Sequence, residues 1–117
     1  MLGTITSGFG RRGQRFHHGL DIAAKAGTQI KAIEAGKVLF AGFRNSVYGN
    51  TVIVDHGYLK SIYAHNKKNL VKKGDWVKVG QTIALVGSTG RSTGPHVHLE
   101  IHQNDQPVNP LRYLARR

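Results

Sequence analysis

The stretch GPHVHLEIH, residues 94–102, sets three histidines and a glutamate at every second position, with Val97, Leu99 and Ile101 between them. Strict alternation is the period of a β-strand that buries one face and turns the other away from the core. It predicts a strand over 96–102 in which Val97, Leu99 and Ile101 enter the core while His96, His98, Glu100 and His102 share the opposite face. That face is rich in metal ligands and proton carriers. A polar row beside solvent would look the same, so a second cluster has to decide between the two.

Working outward, the runs TQIKAIEA, GKVLFAGF, NTVIVDHG, LKSIYAHN, DWVKVG and QTIALVGS are each of strand length, with partial or clean alternation, and glycine-containing turns separate them. Fifteen glycines supply turns of the kind that let short strands fold back on one another. Neither heptads nor an amphipathic helix is visible. The expected fold is all-β, with two antiparallel sheets in a sandwich or barrel-like arrangement around a central active-site groove. The tail NPLRYLARR is expected to add one helical turn.

A chain of 117 residues, 39% of them hydrophobic, is one ordinary domain with a single core. No apolar run approaches the roughly eighteen residues of a membrane span, and residues 1–16 lack the charged head and apolar stretch of a signal peptide. The turn-rich opening GTITSGFGRRG suggests a domain cut from a longer exported precursor. Cysteine is absent, so disulfides, thiolate metal sites and cysteine nucleophiles are excluded together, and any metal must be held by His, Asp or Glu. A net charge of +11 predicts attraction to polyanions without choosing among nucleic acid, anionic lipid and cell wall.

The second cluster is FHHGLD. His17 and Asp21 lie four residues apart, on one face whether the backbone is extended or helical, and Gly19 between them favours an extended or irregular path. Together with the H-x-H strand they make a coherent site in which two neutral imidazoles and one carboxylate give zinc three ligands and leave a fourth position for water. Seven histidines against six acidic residues suit that use. His65, closing the run YAH, could project toward the same groove.

The segments HHGLDIAAKAGT, YAH and GSTGRSTGPHVHLE, met in this order, resemble the successive signatures of the lysostaphin/LytM-type zinc metalloendopeptidases, which cleave peptide bonds in bacterial peptidoglycan. The resemblance runs from SGFG at 7–10 to VNPLRYL at 108–114. It implies that residues 1–117 form a single LytM-type metallopeptidase domain, that His17, Asp21 and His98 bind the zinc, and that His65 and His96 are the two catalytic histidines. It further implies a monomer acting on peptidoglycan in the periplasm or extracellular cell wall. Degenerate relatives that only bind the wall or activate other hydrolases usually lack some of these five positions, which are all filled here. Some relatives that cut glycine cross-bridges carry a tyrosine shortly before the first zinc histidine. Residues 1–16 hold only Phe9 and Phe16, which weakens a glycyl-glycine specificity.

The chemistry of these residue types agrees. Zinc on two histidines and an aspartate would draw the pKa of a bound water toward about 7. One of His65 and His96 would take the proton and the other would hydrogen-bond the developing oxyanion, with His96 favoured as base because its neighbour His98 is anchored to the metal. His18 is out of phase with Asp21 and is read as a rim residue, His56 as structural or exposed, and Asp55 as a turn cap. Glu100 either orients a metal-bound histidine or pairs with a surface lysine. Tyr48 to Asn50 either line the groove or form a plain hairpin turn. Loop 87–95 lacks the ending of a phosphate-binding loop and is read as a flexible groove wall. Trp76 is expected in the core or at the groove edge.

Three other classes share part of this pattern. A non-catalytic cell-wall-binding or amidase-activating module would share the fold, but the five filled positions count against it. Lipoyl- and biotinyl-carrier domains share the turn–strand pattern of VKKGDWVKVGQTIALVG yet need a modified lysine in a D-K-A or M-K-M setting, and neither tripeptide occurs. A basic nucleic-acid binder would interleave aromatics with Arg and Lys on its strands, a pattern absent here, so no nucleic-acid partner is expected.

Overall fold

The computed structural model describes residues 4–12, 15–92 and 94–114. Twelve strands follow in chain order: β1 Thr4–Ser7, β2 Gly10–Arg12, β3 Arg15–His17, β4 Leu20–Ala23, β5 Gln29–Lys31, β6 Gly36–Phe43, β7 Asn50–Asp55, β8 Lys60–Asn69, β9 Trp76–Val77, β10 Thr82–Val86, β11 His96–Gln103 and β12 Gln106–Val108. One helical turn, α1 Leu111–Leu114, closes the described chain, as the tail predicts.

All pairings are antiparallel and form two sheets, in keeping with the all-β reading, but the division is unequal. Ten strands join one sheet, whose main path runs β1-β4-β11-β8-β7-β6-β9, while β2 and β3 make a separate hairpin. Strands β5, β10 and β12 attach off that path.

The alternation of β11 appears as expected. Val97, Leu99 and Ile101 are fully buried. Each such side chain contributes about 1.5–3 kcal/mol by leaving water. They join Leu20, Ile30, Val52, Tyr63 and Ile83 in one core. Trp76 departs from expectation: it is 74% exposed, because Val77 takes the inward position of the two-residue edge strand β9.

Strand β8 positions the site. Over Lys60–Ala64 it pairs with β11, and over Asn66–Asn69 it pairs with β10. Against β7 the register advances by two residues on one strand and three on the other, from Val52↔Tyr63 to Asn50↔Asn66. The extra residue is a β-bulge, and within it His65 has φ of 65°, a left-handed conformation uncommon outside glycine. The strand therefore changes neighbours at His65.

Candidate metal centre and groove

The register of β4 against β11 sets Asp21 directly opposite His98. Cross-strand partners on one face are close enough for side chains to meet, and His98 Nδ1 lies 2.7 Å from Asp21 Oδ1. His17 approaches from the β2–β3 hairpin, its Nε2 3.3 Å from Asp21 Oδ2. Its Nδ1 donates to the Gly8 carbonyl at 2.8 Å, which directs Nε2 toward the carboxylate.

Gly19 permits this convergence. A Cβ there would lie 2.6 Å from the Leu99 carbonyl oxygen and 2.8 Å from His98 Cε1, so only glycine lets the chain pass so close to β11. One ligand atom from each of His17, Asp21 and His98 lies within 4.8 Å of the others. Two imidazole nitrogens and a carboxylate oxygen at such spacing fit a divalent ion of zinc's size and preference.

Of the two readings of Glu100, orientation of the cluster is the one the structure supports. The residue is only 3% exposed. Its Oε2 accepts hydrogen bonds from His98 Nε2 at 2.8 Å and from the Tyr48 hydroxyl at 3.0 Å, and its Oε1 accepts one from His102 Nε2 at 2.8 Å. Burial works to raise its pKa, but the hydrogen bonds from His98 and His102 prevail and bring it down to about 2. Burial likewise opposes the charged form of His98, yet the two carboxylates on its ring nitrogens push it up to about 9. For Asp21 the hydrogen bond and charge of His98, aided by His17 and His96, outweigh burial and lower the carboxyl.

The other two predicted histidines stand beside this cluster. The ring centroids of His65 and His96 are 4.8 Å apart, and those of His65 and His98 6.1 Å. His65 Nδ1 donates to the Thr89 carbonyl at 2.7 Å, and His96 Nδ1 donates to the Gly94 carbonyl at 2.9 Å. In each neutral ring that bond leaves Nε2 as the basic nitrogen. His96 Nε2 lies 3.9 Å from Asp21 Oδ1. Burial, the leading influence on His65, lowers its pKa and favours the neutral ring.

Of the two readings of Tyr48, the groove-lining one matches the structure. Its hydroxyl reaches Glu100 and the Arg44 guanidinium stands 4.3 Å above its ring, so it lines the groove. Asn45 Oδ1 accepts from the backbone of both Val47 and Tyr48 and shapes this loop. Loop 87–95 is more firmly held than a flexible wall over its described part. Thr89 Oγ1 donates to the Asn66 carbonyl, and the Arg91 amide donates to the Val47 carbonyl. Of the remaining histidines, His18 borders the groove beside His17, whereas His56 stands apart from it. His18 is exposed beside Phe16, and His56 Nε2 lies 2.7 Å from Ser61 Oγ in a network that continues to the Tyr63 hydroxyl. Asp55 caps its turn through the Gly57 amide.

Residues 15–110 match the model of Peptidase family M23. The chain belongs to that family. This M23 domain is 35% identical to the catalytic domain of lysostaphin, an antimicrobial peptidase from Staphylococcus simulans, with a TM-score of 0.87 over 97% of this chain and 92% of that one. It is 45% identical over 98 residues to the DD-carboxypeptidase/endopeptidase Mpg of Neisseria meningitidis, which covers 83% of this chain and 22% of Mpg. It is also 46% identical over 101 residues to the murein hydrolase activator NlpD of Escherichia coli, over 85% of this chain and 26% of NlpD. The M23 domain thus spans only about a quarter of the length of these two curated relatives. Among the described residues no helix is long and apolar enough to cross a membrane.

Proposed function

We propose that the chain is a zinc-dependent endopeptidase that hydrolyses amide bonds in peptidoglycan stem peptides or cross-links. In this reading His17, Asp21 and His98 hold the ion, and His65 and His96 are the catalytic histidines. Residues 1–117 act as one domain of a longer exported protein, monomeric and outside the cytoplasmic membrane, in the periplasm or cell wall. The observation that carries the reading is the pairing of a His–Asp–His cluster with two adjacent imidazoles whose Nδ1 protons are tied to backbone carbonyls.

When bound, zinc would supply Lewis acidity for the scissile carbonyl and lower the pKa of a water. Asp21 brings a negative charge to the ion, while Glu100 keeps the proton on His98 Nε2 and so directs Nδ1 into the cluster. Either His65 or His96 takes the proton of the attacking water at Nε2, and the other hydrogen-bonds the carbonyl oxygen as charge develops. The proton then passes to the leaving amine.

Similarity to NlpD favours a second reading, a non-catalytic module that binds the wall or activates an amidase. The retained donor cluster argues for the peptidase. Digestion of purified peptidoglycan with the zinc-loaded chain, followed by mass spectrometry, separates them. Peptide fragments lost on His96→Ala are expected. Absence of fragments, with stimulation of an added amidase, would establish the activator reading.

A further inference from the structure

We propose that Arg91 is a specificity determinant that binds a free carboxylate of the peptide lying in the groove, so that the site prefers acidic stem peptides to carboxylate-free glycine chains. The inference rests on the peptidase reading for its ligand class, a peptide, but not for its test. Arg91 borders the same groove, about 180 Å³ in volume, that His17, His65 and His98 line. Phe16 and Val47, respectively 49% and 41% exposed, form an apolar part of its wall.

Two features single out this arginine. Its backbone is fixed, because its amide donates to the Val47 carbonyl at 3.0 Å and the preceding Gly90, with φ of 76°, packs against the Gly49 amide, so the side chain springs from a held point. Its guanidinium also has no carboxylate partner among the described residues, since Asp21 and Glu100 are both engaged by the histidine cluster. Arg44, stacked on Tyr48, adds a second positive charge to the loop that Arg91 touches. A planar guanidinium matches a carboxylate through two parallel hydrogen bonds. Glycine bridges offer no such group along their length, whereas stem peptides carry free carboxylates.

The test reads binding. Calorimetry with the metal-loaded chain compares a stem-peptide fragment bearing a free carboxylate with the same fragment capped as its carboxamide, for the parent, Arg91→Gln and Arg91→Lys. The parent is expected to favour the acid by about tenfold or more, Arg91→Gln to bring the ratio near unity, and Arg91→Lys to restore part of it. A preference for the acid that survives Arg91→Gln would mean the carboxylate is read elsewhere, for instance by the metal, and would overturn the proposal. Equal binding of the two peptides by the parent, or binding of neither, would do the same. Failure to cleave peptidoglycan would leave this measurement standing, and cleavage with an unaltered ratio would remove the subsite alone.

Discussion

His98 and Glu100 touch across two residues of a single strand, Nε2 to Oε2 at 2.8 Å, so the carboxylate grips the imidazole on the side away from Asp21. Glu100→Gln keeps the shape and removes the charge. Zinc affinity is expected to fall about 10- to 100-fold with the fold retained, as measured by chelator competition and circular dichroism. Affinity equal to the parent's would show that Glu100 does not tune the ligand.

Metal uptake should release a proton. In the metal-free chain His98 is pushed up to about 9, so near neutral pH it carries a proton on each ring nitrogen. A divalent ion at Nδ1 must displace one of them. Calorimetric titration with zinc in buffers of different ionisation enthalpy is expected to report release of about one proton at about pH 7.5. A binding enthalpy independent of buffer would contradict this.

The same contacts set the pH window of the metal-free protein. Glu100 is lowered from 4.5 to about 2, so its contribution is fully present above pH 4.5 and lost as pH falls through about 2. His98 is raised from 6.5 to about 9, so its contribution is fully present below pH 6.5 and lost as pH rises through about 9. The Tm of the metal-free chain should peak between pH 4.5 and 6.5. A Tm that climbs steadily from neutral pH toward about 9 would be the wrong sign.

Gly19→Ala places a methyl group 2.6 Å from the Leu99 carbonyl oxygen and 2.8 Å from His98 Cε1. Backbone cannot yield as a flexible side chain can, so roughly 1–3 kcal/mol of stability should be lost. Weaker zinc binding should accompany it, since the displaced ring belongs to the proposed ligand set. Denaturant melts and chelator competition together test the coupling, and a variant that loses neither would refute the close approach.

His65→Ala should lower peptidoglycan hydrolysis by about 10²- to 10⁴-fold while zinc stays bound. Burial lowers the pKa of His65, so its neutral form persists below pH 6.5 and any acid limb it causes lies under that value. Turnover against pH checks the sign, and an acid limb centred above about 7 would exclude His65 as its source. By contrast, Ser61→Ala removes the hydroxyl between His56 and Tyr63, which should cost about 1–3 kcal/mol of stability without altering zinc affinity.

Features that depend on local period were legible in the sequence. The alternation of β11 separated Val97, Leu99 and Ile101 from the histidine face, and Gly19 marked a non-helical path between His17 and Asp21. Register was not legible, because the placement of Asp21 opposite His98 is a property of two strands 77 residues apart. Nor could spacing choose between a surface lysine and His98 as the partner of Glu100, since that depends on which residues cover it. The exposure of Trp76 was not legible for a related reason: a two-residue edge strand has too little alternation to announce which side faces inward.

The bulge at His65 bears on how such a chain can vary over time. A substitution beside it alters one contact, but removing or adding a residue between Tyr63 and Asn66 would exchange inward for outward side chains along the rest of the strand and carry the imidazole out of the groove. Drift in this segment is therefore constrained in length more tightly than in composition, and insertions should collect instead in the turns at the far end of the sheet.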